Sequence, residues 1–142
     1  FRSEHARPLM KRFALLVSLA LTLSGCFNGG SPNNFVFDCA RTVQQPKELV
    51  LYCADAGQIV QDIRWFNWGL SSATGEGVVV TKLCDPNCAK GQVAQTPVKI
   101  TLMEPRDVDG VSVFSVIQLL YTDPPAGHPR VENVDLATAP MP

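Results

Sequence analysis

Histidine and the signature motifs of common hydrolases are scarce in this sequence. Its two histidines are His5 and His128, and it contains no Gly-x-Ser-x-Gly elbow, Ser-x-x-Lys pair or His-Glu-x-x-His motif. A catalytic nucleophile needs a neighbouring base, which is most often histidine. Because His128 lies in a Pro-rich segment, we expect it to be solvated. We therefore predict that the protein is not an enzyme and needs no cofactor.

Basic clusters and long apolar spans are also missing. The 12 Lys and Arg residues are balanced by 13 Asp and Glu residues, and no basic run follows the N-terminal segment. Nucleic acids attract basic patches, so the sequence predicts no nucleic-acid partner. The most apolar run, residues 13–23, is shorter than the about 20 residues that a membrane-spanning helix needs.

That apolar run belongs to a segment, residues 10–26, which resembles a bacterial lipoprotein signal. Lys11 and Arg12 form a positive start, and the apolar run has the length of an export signal's central region. The run ends in Leu23-Ser24-Gly25-Cys26, which resembles a lipobox, in which the cysteine thiol is lipidated and the signal is cut before it. We predict lipidation of Cys26 and anchoring to the extracytoplasmic face of the cell membrane. The alternative is an ordinary cleaved signal.

The signal divides the chain into four predicted parts. Residues 1–25 are expected to be an upstream extension, before Met10, followed by the signal peptide. Residues 26–34 form a Gly- and Asn-rich tether behind the lipidated cysteine, residues 35–123 form one domain, and residues 124–142 form a Pro-rich tail. Cleavage before Cys26 would remove four basic residues and one acidic residue, leaving a mildly acidic chain with a net charge near −4.

Four cysteines remain beyond Cys26, and an even number in an exported chain predicts disulfides, because the compartment is oxidising. Three pairings are open, and proximity along the chain favours Cys39–Cys53 and Cys84–Cys88. A zinc site on these four thiolates is the alternative, but exported thiols tend to oxidise first. Asp107 and Asp109 resemble the first ligands of a calcium-binding loop, but the glutamate ligand that such a loop has later in its sequence is missing. We expect no metal.

Short apolar runs separated by turn residues predict an all-β fold. Strands are expected at residues 35–40, 48–54, 62–68, 78–84, 96–104 and 111–121, and a further edge strand around 130–136. A single helical turn is expected at 55–61, a loop at 71–77 and a hairpin turn at 107–110. The prediction is a small antiparallel sandwich or barrel of about six or seven strands, stapled by two disulfides.

Two groups of residues are candidates for a site. Trp65, Phe66 and Trp68 place aromatic rings on both faces of one predicted strand, so one ring could reach a protein or glycan partner. The alternative is that both faces are covered. A carboxylate-dependent enzyme would need a pair of acids, for which the candidates are Asp55, Asp62 and Asp85. Helix capping and turn formation explain Asp55 and Asp85 better.

Four motifs together resemble those of small exported actinobacterial proteins, many of which have no assigned function. They are Cys53-Ala-Asp-Ala-Gly57, Trp65-x-x-Trp68, Ala73-x-Gly75-x-Gly77 and Cys84-x-Pro-x-Cys88-Ala-x-Gly91. The resemblance covers about residues 39–121 and implies a secreted or lipid-anchored disulfide domain at the cell envelope. It supplies no catalytic residues to carry over. We expect a non-enzymatic binding or scaffolding module with an envelope protein or glycan as partner. The alternatives are an inhibitor of an exported hydrolase, acting through the Cys84–Cys88 turn, and a carboxylate-dependent cell-wall enzyme.

Overall fold

The computed structural model describes residues 34–141, which form eight strands and no helix. The strands are β1 (Asn34–Asp38), β2 (Arg41–Val43), β3 (Leu49–Val50), β4 (Gln58–Trp68), β5 (Ala73–Lys82), β6 (Val93–Val108), β7 (Val111–Tyr121) and β8 (Val131–Asp135). The predicted all-β class with two disulfides is confirmed. Cys26, the signal and most of the tether lie outside the described residues. Within the described range there is no helix that could cross a membrane.

The strands form one curled sheet, a half-barrel, in the order β2-β1-β7-β6-β5-β4-β3. Strands β4 to β7 are a meander of antiparallel neighbours. One edge of β7 is shared, because β1 pairs with its first residues and β8 with its later ones. The β1–β7 pair, which aligns Asn34 with Ser112, is parallel, whereas the other pairs are antiparallel. β7 is therefore the strand on which the two ends of the described chain meet.

The core fills the inside of the curl. On β6, Val98, Ile100 and Leu102 are buried and the residues between them face outward, as their alternation predicts. The hairpin turn predicted at residues 107–110 is confirmed. Its central residues, Asp109 and Gly110, both have positive φ, which matches the favoured turn of two-residue hairpins.

Strand β4 departs from simple alternation because it contains two β-bulges. Its register with β5 shifts between Gln61 and Arg64 and again between Trp65 and Asn67. Each bulge adds a residue to one strand only, so the side chains beyond it change faces. The helical turn predicted at residues 55–61 is wrong, since β4 begins at Gln58, and the loop predicted at 71–77 is wrong, since β5 begins at Ala73.

The glycine of β5 at position 75 is required by the second bulge. A Cβ on Gly75 would lie 2.6 Å from the backbone oxygen of Arg64 and 3.1 Å from the ring of Trp65. Any larger residue would push the bulged strand away from its partner. The small residues in Ala73-x-Gly75 therefore allow β4 to approach β5 closely while it bends.

Both predicted disulfides are confirmed. Cys39–Cys53 connects the β1–β2 turn to the turn after β3, with 5.5 Å between the Cα atoms. Cys84–Cys88 closes a loop between β5 and β6, with 4.0 Å between the Cα atoms. The expected strand at residues 48–54 is reduced to Leu49–Val50, because the chain turns at Cys53 to reach β4.

Residues 124–142, which were predicted to form a Pro-rich tail, include β8. The edge strand expected around residues 130–136 is confirmed, and it pairs with β7 over five residues. Val134 and Leu136 are buried in the core, and the amide of Leu136 donates to the oxygen of Ser115 at 2.8 Å. The folded body therefore continues to at least Leu136.

Candidate functional site

The three predicted surface aromatics occupy different environments. Trp68 is 7% exposed, its indole nitrogen donates to the backbone oxygen of Asn34, and its ring packs edge-on against Phe114. Trp65 is half-buried and donates to the oxygen of Pro46. Phe66 is 59% exposed. The sequence predicted that one of these rings could reach a partner. The second bulge turns Trp68 inward, and Phe66 presents the most exposed ring of the three.

Three exposed side chains lie on the last part of β4 and on the turn that follows it, and we call Arg64, Phe66 and Leu70 the Phe66 patch. The Arg64 guanidinium lies 5.2 Å from the centre of the Phe66 ring and forms an ion pair with Glu76. Leu70, in the β4–β5 turn, is 73% exposed. The side chain of Asn34 donates to the backbone oxygens of Gly69 and Leu70 and so fixes this turn. Two large apolar groups are therefore exposed on an ordered backbone.

The loop between β5 and β6, residues 83–92, is a second exposed feature. Its base is closed by the amide of Leu83, which donates to the oxygen of Gln92 at 2.8 Å. Inside it, Oδ1 of Asn87 accepts from the amides of Ala89 and Lys90. Gly91 is obligatory, because a Cβ there would lie 1.5 Å from the oxygen of Leu83. Together with the Cys84–Cys88 disulfide, these contacts make a rigid, solvent-exposed loop.

A cleft of about 460 Å³ opens at the opposite end of β4, where β4 and β8 approach each other without backbone pairing. Residues from the turn after β3, from β4 and β5, and from β8 and the segment before it line the cleft. They are Tyr52, Ala54, Asp55, Gly57, Gln58, Thr81, His128 and Glu132.

A hydrogen-bonded network joins the two strands behind the cleft. Nε2 of Gln58 donates to the hydroxyl of Tyr121 at 3.0 Å and to Oε2 of Glu132 at 3.3 Å, and the Tyr121 hydroxyl donates to the same carboxylate oxygen at 2.9 Å. Tyr121 is fully buried. Burial and the hydrogen bond to Glu132 raise the pKa of Tyr121 above its ordinary value, so its hydroxyl stays protonated as a donor. The network holds the Glu132 carboxylate at the cleft wall.

The three predicted carboxylates do not meet. Asp55 lines the cleft, Asp62 lines a separate depression of about 390 Å³, and Asp85 lies in the β5–β6 loop. The helix cap expected at Asp55 is instead a turn, in which Oδ1 accepts from the amide of Gly57 at 2.8 Å. Within residues 34–141, no three His, Cys, Asp or Glu side chains are grouped so that they could hold a metal ion.

Sequence reasoning missed the cleft. His128, which was expected to be solvated in a tail, is partly exposed and lies in the cleft wall with Asp55 and Glu132. Gln58, which carries the network, lies in the segment predicted as a helical turn. The partners of Gln58 in the network are 63 and 74 residues away along the chain, so no local pattern signals the contact.

Comparison with known proteins adds no relative from which residue roles could be transferred. No protein-family model, curated protein or solved structure matches the chain.

Proposed function

We propose that this protein is a lipid-anchored, non-enzymatic binding module of the cell envelope that docks a partner protein on the Phe66 patch. The observation that carries the proposal is the exposure of Phe66 near the end of β4 and of Leu70 on the following turn, which Asn34 holds in place. Aromatic and arginine side chains contribute much of the energy of protein interfaces, and the patch combines Arg64 with the Phe66 ring.

The proposed cellular location rests on the sequence. The lipobox ending at Cys26 would tether the module to the extracytoplasmic face of the membrane. The two disulfides support this location, because such bonds persist in oxidising compartments.

The test is site-specific crosslinking. A photoreactive residue at position 66 or 70 should crosslink a discrete envelope protein in intact cells, and a matched probe at Leu120, another exposed apolar residue on a different part of the sheet, should not. With the probe at position 70, Phe66→Ser should abolish the product with little change in unfolding temperature. An unchanged product with Phe66→Ser would contradict the proposal.

A second candidate function is inhibition of an exported hydrolase by the β5–β6 loop. It is favoured by the loop's exposure and by the internal bonds of Asn87, which would let it enter an active site without losing conformational freedom. The purified protein would then inhibit hydrolases of the culture supernatant, and replacing residues 85–87 with glycine and serine would abolish inhibition. Unchanged inhibition by that variant would end this candidate.

A further inference from the structure

We infer that the cleft is a binding site for a neutral polyhydroxylated ligand of the sugar class. The cleft is distinct from the Phe66 patch, because Gln58 and Phe66 are eight residues apart on one strand, or roughly 25 Å. The inference therefore stands or falls independently of protein docking.

The first support is a set of oxygen atoms without protein partners. Gln58 is 4% exposed and Thr81 is 8% exposed, and both line the cleft. The Gln58 amide nitrogen is used in the network, but its Oε1 and the Thr81 hydroxyl make no hydrogen bond to any described residue. Every fully sealed side-chain polar atom in the described part of the chain has a partner, so these oxygens must reach solvent, and both residues line the cleft.

The second support is the fixed position of Glu132. Its Oε2 receives hydrogen bonds from both Tyr121 and Gln58, whereas its Oε1 receives none from residues 34–141. The carboxylate is thus held in place before any ligand arrives, with one oxygen available. Three acceptors, from Gln58, Thr81 and Glu132, converge on the same opening, and a ligand that supplies several hydrogen-bond donors would satisfy them.

Charge argues most clearly against an anionic ligand. Asp55 and Glu132 both line the cleft and are negative, so they repel anions. Nζ of Lys82 lies 3.4 Å from the backbone oxygen of Asp55 and offsets part of the attraction that the two carboxylates have for a cation, which leaves comparison with a diamine to the experiment. A hydroxyl can both donate and accept, which suits the Thr81 hydroxyl and the His128 imidazole.

The cleft also offers an apolar wall and suitable size. Tyr52 is 47% exposed, and its backbone is held in a turn by the amide of Ala56, which donates to its oxygen at 2.8 Å. An aromatic ring can pack against the C–H face of a sugar ring while its hydroxyl groups bind the opposite wall. The volume of about 460 Å³ lies within the range of small-molecule sites.

The experiment is an NMR titration of the complete ¹⁵N-labelled chain in a detergent without a sugar headgroup. The probes are glucose and N-acetylglucosamine, with putrescine and inorganic phosphate as charged controls. At least one sugar should shift the amide signals of Gln58, Thr81 and Glu132 in a saturable way, more tightly than putrescine or phosphate. Absence of any sugar-dependent shift at on the order of 10 mM in a folded sample would overturn the inference, as would tighter binding of putrescine.

Two matched pairs of variants test the assigned contacts. Thr81→Val keeps the side-chain shape, removes one acceptor and leaves the network intact, so it should weaken sugar binding about 2- to 10-fold. Thr101→Val, on a half-buried outward-facing position of β6, should leave binding unchanged. Tyr52→Phe should bind nearly as well as the parent protein, whereas Tyr52→Ala should lose most of the affinity. If Thr81→Val and Tyr52→Ala were both folded and bound the sugar as tightly as the parent protein, the sugar would have to bind elsewhere.

Discussion

The indole nitrogen of Trp68 donates a hydrogen bond of 2.9 Å to the backbone oxygen of Asn34, so the end of β4 is attached to the start of β1. The side chain of Asn34 in turn donates to the turn at Gly69 and Leu70. One residue of the predicted tether therefore organises the β4–β5 turn. The same turn presents Leu70, so Asn34 contacts both the core side chain of Trp68 and the backbone that exposes Leu70.

Trp68→Ala should destabilise the protein by about 3–5 kcal/mol, as is usual when a buried aromatic side chain is removed. The substitution also leaves the Asn34 oxygen without its indole donor and empties the space against Phe114. Denaturant unfolding measured by circular dichroism would give the change. Phe66→Ala is the control and should change stability by no more than about 0.5 kcal/mol, because its ring is largely exposed. Similar losses of stability in both variants would contradict the assignment of Trp68 to the core and Phe66 to the surface.

Some parts of the fold could be predicted because they depend on residues that are close together along the chain. The β6–β7 hairpin follows from the alternation of Val98, Ile100 and Leu102 and from the turn at Asp109 and Gly110. The disulfide pairs are close along the chain, so proximity was a sufficient guide.

The other parts depend on contacts between distant residues. Two bulges in β4 break the period of two, so alternation placed Trp68 and Phe66 on the same face, whereas Trp68 is buried and Phe66 is exposed. The cleft depends on Gln58, Tyr121 and Glu132, which meet only because the sheet curls. Neither feature leaves a pattern within any short window of sequence.

Tyr121→Phe should reduce stability at neutral pH by about 1–3 kcal/mol, because Gln58 and Glu132 lose a buried partner. The pH dependence should also change. Because the pKa of Tyr121 is raised in the folded state, its contribution is fully present below the unfolded value of about 10 and declines as the pH rises above it. The parent protein should therefore lose stability as the pH rises above about 10, and Tyr121→Phe should lose less. Urea unfolding at several pH values above about 9 provides the measurement. If the free energy of unfolding fell equally with pH in both proteins, Tyr121 would not be the source of the pH dependence.

The two disulfides should differ in their contribution to stability. Replacing Cys39 and Cys53 by serine should cost about 3 kcal/mol, whereas replacing Cys84 and Cys88 should cost about 2 kcal/mol or less, because the second pair closes a shorter loop in the unfolded chain. Thermal unfolding of both double variants would compare them. If the Cys84–Cys88 variant were the less stable of the two, the β5–β6 loop would have to support the core as well as the surface.

Cys26→Ala should release the protein from membranes or stop its maturation without unfolding the β domain. The reason is chemical, since alanine has no thiol to carry a lipid, and residues 34–141 make their core without this position. Membrane fractionation and the mass of the processed chain provide the readouts. Ser24→Ala is the matched control, because it keeps a small residue beside Gly25 and should leave the protein membrane-bound. A Cys26→Ala protein that is processed and retained on membranes as before would show that another feature anchors it, and the lipobox interpretation would then be wrong.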